Sequence, residues 1–205
     1  TRIDLLRHGA CCDGAIYRGH TDSALSPEGE QQMASAVKAG DWDLILSSPL
    51  QRCRRFAKGL ATRQQLPLSV DERLIELNFG DWDGRPTRDV WEQQQEAVLA
   101  FWQDPESFTP PGAESLPAMR DRVVHLLHEL HREHNGKRIL LVCHGGVIRI
   151  LLCFLLQMPL QAMRQLSIDY GSLSRFELYQ LQEDGLFASE VIFINRLPEV
   201  AEYER

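Results

Sequence analysis

Two histidines in this sequence follow short apolar runs and precede a glycine. His8 comes after Ile3-Asp4-Leu5-Leu6 and Arg7, and His144 comes after the run 138–143. A histidine at the end of a buried strand can act as a nucleophile, and an adjacent arginine can bind phosphoryl oxygens. Because the carboxyl ends of parallel strands meet at one edge of a sheet, we expect both histidines to lie there. The pattern predicts a site for a phosphorylated substrate.

A third strand end supplies another arginine. The apolar run 44–46 leads into Ser47-Ser48-Pro49, a serine-proline sequence typical of a helix start, and Arg52 falls in the first turn of the helix that follows. Arg52 is therefore expected at the same sheet edge, where a guanidinium can bind a phosphate through two hydrogen bonds. Arg54 and Arg55 are close competitors, since Arg55 lies three residues from Arg52 and can share its helix face.

The rest of the pattern alternates helices with short apolar strands. It predicts further strands at 68–70, 138–143, 172–179 and 188–195, and helices over 26–40, 87–103, 116–133 and 147–156. The segments 71–84 and 105–117 read as loops because of their glycines, prolines and mixed polarity. This alternation indicates one α/β domain over residues 1–205 with a mostly parallel sheet.

Composition narrows the class of protein. The chain has 205 residues and a net charge of −7, which argues against nucleic acid as a partner because phosphate backbones require a basic surface. No run of about 18 apolar residues predicts a membrane helix. The first strand begins within two residues of the first position, which leaves no room for a signal peptide, so we expect a cytoplasmic protein. The five cysteines are expected to be reduced thiols.

Four motifs together resemble a known family. They are Arg7-His8-Gly9, the stretch from Ser47 to Arg52, Leu74-x-Glu76 with Phe79-Gly80-x-Trp82-x-Gly84, and His144-Gly145-Gly146-Val147-Ile148-Arg149. In this order, over residues 5–149, they are similar to the histidine phosphatase superfamily, which has the phosphoglycerate mutase-like fold. The resemblance implies a three-layer α/β/α architecture with a mostly parallel central sheet.

The same resemblance implies a role for each motif residue. His8 would be the nucleophile that forms a phosphohistidine, and Arg7, Arg52 and His144 would surround the phosphoryl group. Glu76, rather than Glu72 or Asp81, would be the general acid and then the general base. Further substrate contacts are expected from Arg18 and Gly145, with His20 as an additional candidate. Neither a metal nor another cofactor is required, and the partner would be a small phosphorylated metabolite.

The chain departs from the family pattern at three places. Gly14 stands where relatives often have asparagine, Ala10-Cys11 replaces a Glu or Gln followed by Thr, and Phe56 stands where threonine is usual. The catalytic set is intact, so we expect these differences to affect substrate contacts.

Specificity is expected in the segment of about 80–118, where Trp82, Trp91, Phe101 and Trp102 could line a pocket. The chain is shorter than the usual dimeric mutases of the family, which favours a phosphatase. Arg18-Gly19, Asp22-x-x-Leu25 and Gln32-Met33, together with the Glu76 loop, are most similar to the branch formed by the α-ribazole phosphatases. The resemblance therefore implies α-ribazole 5′-phosphate as substrate, with a broad-specificity, sugar-phosphate or phosphoglycerate phosphatase as the alternative.

Two further interpretations lie outside this chemistry. Cys143 and Arg149 form a Cys-x5-Arg pattern that is typical of cysteine-dependent phosphatases, but that interpretation leaves Arg7-His8-Gly9 and Glu76 without a role. We favour Cys143 as a small buried apolar residue. A relative that only binds phosphorylated partners is the other alternative.

Four histidines recur every three residues at positions 125, 128, 131 and 134. No zinc-protease spacing is present, and steps of three residues drift around a helix, so the four do not form one tight metal site. We predict a polar helix face.

Overall fold

The computed structural model describes residues 1–181 and 187–198, which contain six strands and five α-helices. The strands are β1 (Arg2–Arg7), β2 (Leu44–Ser47), β3 (Leu68–Val70), β4 (Arg138–Cys143), β5 (Leu173–Gln180) and β6 (Phe187–Arg196). The helices are α1 (Pro27–Ala36), α2 (Gln51–Gln64), α3 (Thr87–Gln103), α4 (Leu116–Glu133) and α5 (Gly145–Leu155). Short 3-10 helices cover Glu72–Leu74, Gly80–Trp82 and Leu160–Gln165.

The six strands form a single sheet in the order β3-β2-β4-β1-β5-β6. The pairs β2–β3, β2–β4 and β1–β4 are parallel, whereas β5 is antiparallel to both β1 and β6. The mostly parallel sheet expected from the alternation of helices and strands is confirmed. The carboxyl ends of β1, β2 and β4 therefore lie at one edge of the sheet.

Successive side chains of the central strands enter two separate apolar cores. Leu5 and Leu141 pack toward α3, α4 and α5, whereas Leu6, Leu140 and Val142 pack toward α1 and α2. Because side chains alternate along a strand, the continuous apolar runs of β1 and β4 cover both faces of the sheet. The result is the expected three-layer α/β/α arrangement.

The buried strand β1 also contains an acid. Asp4 is only 1% exposed, and its carboxylate accepts hydrogen bonds from Arg175 at 2.6 and 2.9 Å and from the Trp42 indole at 2.8 Å. A buried carboxylate needs such partners, since an unpaired charge in the interior is costly. Arg175 on the neighbouring β5 therefore ties the antiparallel part of the sheet to the parallel part.

The predicted helix starts are correct for α1 and different for α2. Ser26 caps α1, and its hydroxyl accepts a hydrogen bond from the Gly29 N–H at 3.0 Å, with Pro27 in the first turn. In α2 the residue at the N-cap is Leu50, which has no side-chain cap. Ser48 lies before the helix, and its hydroxyl is used at the sheet edge instead.

The prediction of a polar histidine face on α4 is correct for His125 and wrong for His131. His125 is exposed, but His131 is 3% exposed and packs against Phe187, with ring centroids 5.2 Å apart. His128 is exposed, as predicted, although its ring contacts those of Phe154 and Phe187. Each step of three residues turns the next histidine further around the helix. The side chains therefore change from exposed at His125 to buried against Phe187 at His131.

All five cysteines are free thiols. None of the helices in the described residues is long and apolar enough to cross a membrane.

Candidate active site

The ends of β1 and β4 bring the two predicted histidines together. Arg7 is in register with Cys143, and the His8 N–H donates a hydrogen bond to the Cys143 carbonyl at 3.0 Å. The imidazole rings of His8 and His144 then meet edge to face, with centroids 5.2 Å apart. Parallel pairing thus converts two distant sequence positions into one site.

His8 has one ring nitrogen engaged by the backbone. Its Nδ1 lies 2.8 Å from the Gly9 carbonyl oxygen, and because a carbonyl only accepts, Nδ1 carries the proton of the neutral ring. Nε2 is left with the free lone pair. Burial, and then the positive charges of Arg52 and Arg7, hold the pKa of His8 well below its ordinary value of 6.5. The ring is therefore neutral and can act as a nucleophile.

His144 has protein partners at both ring nitrogens. Arg52 Nε donates to its Nδ1 at 3.2 Å, so the proton of the neutral ring lies on Nε2, which is 2.7 Å from the Ser48 hydroxyl. Burial, followed by the charge of Arg52, holds the pKa of His144 well below 6.5. In this state His144 is a fixed neutral group that presents its ring to His8.

Arg52 is the arginine of α2 that enters the site. It is fully buried, and its terminal nitrogens donate to the carbonyl oxygens of Thr21 and Gly19, each at 2.8 Å. Arg54 and Arg55 are exposed. Because several of its donors are already used, Arg52 acts on the two histidines chiefly as a fixed positive charge.

Arg7 has an unused donor that faces the site. Its Nη1 donates to the Ile168 carbonyl at 2.6 Å, whereas its Nε is buried and, among the described residues, has no hydrogen-bond partner. Gly145 lies beside this atom, and a Cβ added there would be 3.2 Å from Arg7 Nε. A buried guanidinium N–H without an acceptor next to a helix N-terminus is suited to an anion.

Glu76 is held at the same N-terminus of α5. Its Oε2 accepts from the Gly146 N–H and its Oε1 from the Leu77 N–H, both at 3.0 Å. A Cβ at residue 146 would clash with this carboxylate, so glycine is needed there. The competitors Glu72 and Asp81 are exposed. Glu76 is therefore the acid of this loop that is buried against the start of α5, which directly follows His144.

A pocket of about 210 Å³ opens beside Glu76. Its lining is largely apolar and includes three arginines: Arg7, Glu76, Leu77, Phe79, Phe101, Trp102, Leu116, Met119, Gly145, Gly146, Arg149, Met163 and Arg164. Of the four aromatic residues predicted to line a pocket, Phe101 and Trp102 do so. Trp82 is instead buried in the core and Trp91 is exposed. A larger groove of about 630 Å³ between α1 and α2 contains none of the predicted site residues.

Comparison with known proteins identifies the family to which the chain belongs. The sequence profile of the histidine phosphatase superfamily (branch 1) matches residues 3–185. The chain belongs to this superfamily. It is a phosphatase, and its fold is the phosphoglycerate mutase-like fold.

Individual relatives of this phosphatase differ in their substrates. The adenosylcobalamin/alpha-ribazole phosphatase of Escherichia coli is 31% identical over 87% of this chain and 91% of its own length. The glucosyl-3-phosphoglycerate phosphatase of Mycolicibacterium vanbaalenii is 34% identical over 77% of this chain and 75% of its own length. The solved alpha-ribazole phosphatase of Shigella flexneri superposes with a TM-score of 0.81 at 28% identity, covering 96% of each chain.

Arg18 lies on the His8 side of the site rather than in the pocket beside Glu76, and its positive charge is one of the causes that lower the pKa of His8. Its guanidinium is paired with Asp13 at 2.7 Å and donates to the Tyr170 hydroxyl at 3.2 Å, and it does not line the pocket. His20 is exposed, with its Nε2 3.1 Å from the Glu76 carbonyl oxygen. Both residues therefore lie next to groups of the site, and their contacts with substrate stay a prediction.

The cysteine interpretation is not supported by the geometry of the phosphatase. Cys143 is fully buried, and burial raises the pKa of its thiol, which suppresses the thiolate that a cysteine nucleophile needs. No group of three or more His, Cys, Asp or Glu side chains among the described residues is arranged to hold a metal ion.

Three residues of the site were missed from the sequence. Ser48 bonds His144, Tyr170 stacks on Arg7, and Arg149 lines the pocket next to Gly145. Ser48 and Arg149 lie within the family motifs that contain Arg52 and His144. Their positions next to a strand end and a helix start could have identified them as site residues. Tyr170 carries no local signal, because only the fold brings it to β1.

Proposed function

We propose that this phosphatase hydrolyses phosphate monoesters through a covalent intermediate on His8. The observation that carries the proposal is the hydrogen bond from His8 Nδ1 to the Gly9 carbonyl, which leaves Nε2 of a neutral, buried imidazole as the free lone pair. Nε2 attacks phosphorus, the P–N bond forms, and the P–O bond to the alcohol breaks.

The phosphoryl group would be bound by cations and backbone amides around His8. The unpartnered Nε of Arg7, the amides that begin α5 at Gly145, and the charge of Arg52 meet the developing negative charge. For His144 to take part, its Nε2–H must exchange the Ser48 hydroxyl for a phosphoryl oxygen. Gly145 allows the close approach because a side chain there would fill the space between Arg7 and Arg149.

Glu76 would handle the protons of both steps. Its carboxyl gives a proton to the leaving alkoxide, and the resulting carboxylate then takes a proton from the water that attacks the phosphohistidine. The water oxygen forms the new P–O bond while the P–N bond to His8 breaks, and inorganic phosphate leaves. The two backbone N–H groups that hold Glu76 fix its carboxylate in the lining of the pocket, where we place the leaving alcohol.

For the substrate, we propose α-ribazole 5′-phosphate. The Escherichia coli relative supports this proposal, as do Phe79, Phe101 and Trp102, whose rings line the pocket beside Glu76. A planar base attached to the leaving ribose could pack against these rings. Phe101 and Trp102 belong to the segment 80–118, to which we assign the selection of the leaving group.

A phosphorylated acid is the second candidate. Arg149 donates only its Nε, to the Leu166 carbonyl at 3.0 Å, and among the described residues its terminal nitrogens have no hydrogen-bond partner. Arg149 and Arg164 both line the pocket that contains Glu76. Two cations in the lining of this pocket favour a substrate that carries a carboxylate besides its phosphate, and the mycolicibacterial relative is a glucosyl-3-phosphoglycerate phosphatase by name.

Rate measurements on matched substrates distinguish the two candidates. The value of kcat/KM is measured for α-ribazole 5′-phosphate, 3-phosphoglycerate and glycerol 3-phosphate, the last two of which differ by a carboxylate. The first candidate predicts the highest value for α-ribazole 5′-phosphate. The second predicts a preference for 3-phosphoglycerate over glycerol 3-phosphate, and Arg149→Gln should then reduce that preference by about tenfold. Arg88→Gln is the control, since Arg88 is a surface residue of α3.

The covalent step itself is tested by trapping. Acid-labile, alkali-stable phosphate should appear on the wild-type protein after quenching and should be absent from His8→Ala. A protein that binds phosphorylated ligands without releasing phosphate, or label that persists in His8→Ala, would contradict the mechanism.

A further inference from the structure

Tyr170 contacts Arg7, the last residue of β1, and His8, which follows it. We propose that Tyr170 is a positioning residue that holds the Arg7 guanidinium in the orientation needed to bind the phosphoryl group. This inference rests on the function proposed above, because it assigns Arg7 and His8 to the phosphoryl site.

The ring of Tyr170 lies against Arg7 and His8 at once. The Arg7 Cζ is 4.0 Å from the centroid of the Tyr170 ring, a cation–π arrangement, and the His8 and Tyr170 ring centroids are 5.5 Å apart. The Tyr170 hydroxyl accepts a hydrogen bond from Arg18 Nη1 at 3.2 Å. The aromatic face therefore covers one side of the guanidinium, while the hydroxyl is turned to the Arg18–Asp13 pair.

The loop that carries Tyr170 is tied directly to the nucleophile strand. The Gly171 N–H donates to the His8 carbonyl at 3.3 Å, and the Arg7 N–H donates to the Ser172 carbonyl at 3.1 Å. Asp169 is fixed on the other side, because its backbone N–H and its carboxylate both bond the Asn195 side chain. These bonds give Tyr170 little freedom to move relative to Arg7.

Arg7 needs such support because few groups hold its side chain. Its Nη1 bonds one carbonyl, its Nε has no partner among the described residues, and burial, which removes water from the guanidinium, lowers its pKa. A cation over an aromatic face is stabilised most when it is desolvated. The stacked ring also blocks rotation of the guanidinium plane, so the free Nε stays directed at the site beside Gly145.

Substitutions at Tyr170 separate the ring from the hydroxyl. Tyr170→Phe keeps the stack and should change kcat/KM for p-nitrophenyl phosphate by less than about threefold, whereas Tyr170→Met should lower it about tenfold and weaken inhibition by inorganic phosphate by a similar factor. Tyr170→Leu serves as a second variant without a ring if the methionine variant does not fold. Tyr179→Leu, at an exposed tyrosine of β5, is the matched control and should behave like wild type.

A double-mutant cycle with Arg7→Gln tests whether Tyr170 acts through Arg7. In that background Tyr170→Met should cost less than about twofold, because the group it positions is gone. Equal losses in both backgrounds, or a tenfold loss in Tyr170→Phe, would overturn the inference. If His8→Ala and Arg7→Gln both retain full turnover, the proposed function fails instead, and the two failures are thereby distinguished.

Discussion

The ends of β1 and β4 look alike in sequence and differ in chemistry. Each is an apolar strand that ends in His-Gly at the same sheet edge, and burial and cations lower the pKa of both histidines. At β1 the backbone carbonyl of Gly9 takes one ring nitrogen and leaves the other free. At β4 Arg52 and Ser48 take both. The partners of a histidine, rather than its local sequence, therefore decide which imidazole can attack.

The largest expected effect removes the free nitrogen. His8→Ala should reduce phosphatase turnover to background, whereas His144→Ala should lower it by about 10²- to 10³-fold, the usual effect of losing a group that stabilises developing charge. Initial rates with p-nitrophenyl phosphate and phosphoenzyme trapping measure both. Phosphoenzyme in His8→Ala but not in His144→Ala would reverse the assignment of the two strand ends.

The next effect concerns the acid that serves the reaction at β1. Glu76→Gln should lower kcat/KM for alkyl phosphates by about 10²- to 10⁴-fold and for p-nitrophenyl phosphate by less than about tenfold, because a good leaving group needs little protonation. Glu72→Gln, at an exposed glutamate of the same loop, is the control. Equal losses of Glu76→Gln on both kinds of substrate would remove Glu76 from the acid role.

A smaller effect is a shift along the pH axis. His8 must be neutral to attack, and its pKa lies well below 6.5, so protonation of His8 should not reduce kcat/KM for p-nitrophenyl phosphate until the pH is below that value. The charge of Arg52 is one cause of this lowering, so Arg52→Gln should raise the pKa of His8. The decrease of kcat/KM on the acid side of the pH profile, which we call the acid limb, should then move upward by about one pH unit. Arg54→Gln, on the exposed side of α2, should not move it. An unshifted limb in Arg52→Gln would show that burial alone keeps His8 neutral.

The smallest effect tests the second partner of His144. Ser48→Ala removes the group that His144 must release to reach a phosphoryl oxygen, so inorganic phosphate should inhibit about two- to fivefold more strongly. Ser69→Ala, at an exposed serine of β3, provides the comparison. Weaker inhibition in Ser48→Ala would mean that the hydroxyl is needed to orient the ring during binding.

Much of the fold follows from local pattern. The apolar runs of β1 and β4, the serine cap of α1 and the spacing of apolar residues in α4 fixed those elements to within a few residues, because each depends on nearby positions. The meeting of His8 and His144 was also predictable, since parallel strands share an edge. Partners that come from distant segments were not: Asp4 with Arg175, and Arg7 with Tyr170, are each more than 160 residues apart.

The histidines of α4 illustrate a different limit. Periodicity indicates which face each residue occupies but not where the apolar contact surface ends, so His131 was assigned to a polar face although it packs against Phe187. Similarly, the sequence favoured Arg52 over Arg55 but could not decide between them. Which of the two arginines is buried depends on the tertiary contacts of α2.

Gly146 leaves room for the Glu76 carboxylate at the start of α5. The Glu76 carboxylate occupies the space where a side chain at residue 146 would begin, and the atoms in the way are the far end of a flexible side chain rather than backbone. A single methyl group there would displace Glu76 and leave His8, Arg7 and both cores in place. In the mechanism proposed above, such a protein would form the phosphohistidine rapidly from an activated ester and would hydrolyse it slowly. Replacing one hydrogen of Gly146 by a methyl group is therefore expected to separate formation of the proposed phosphohistidine from its hydrolysis.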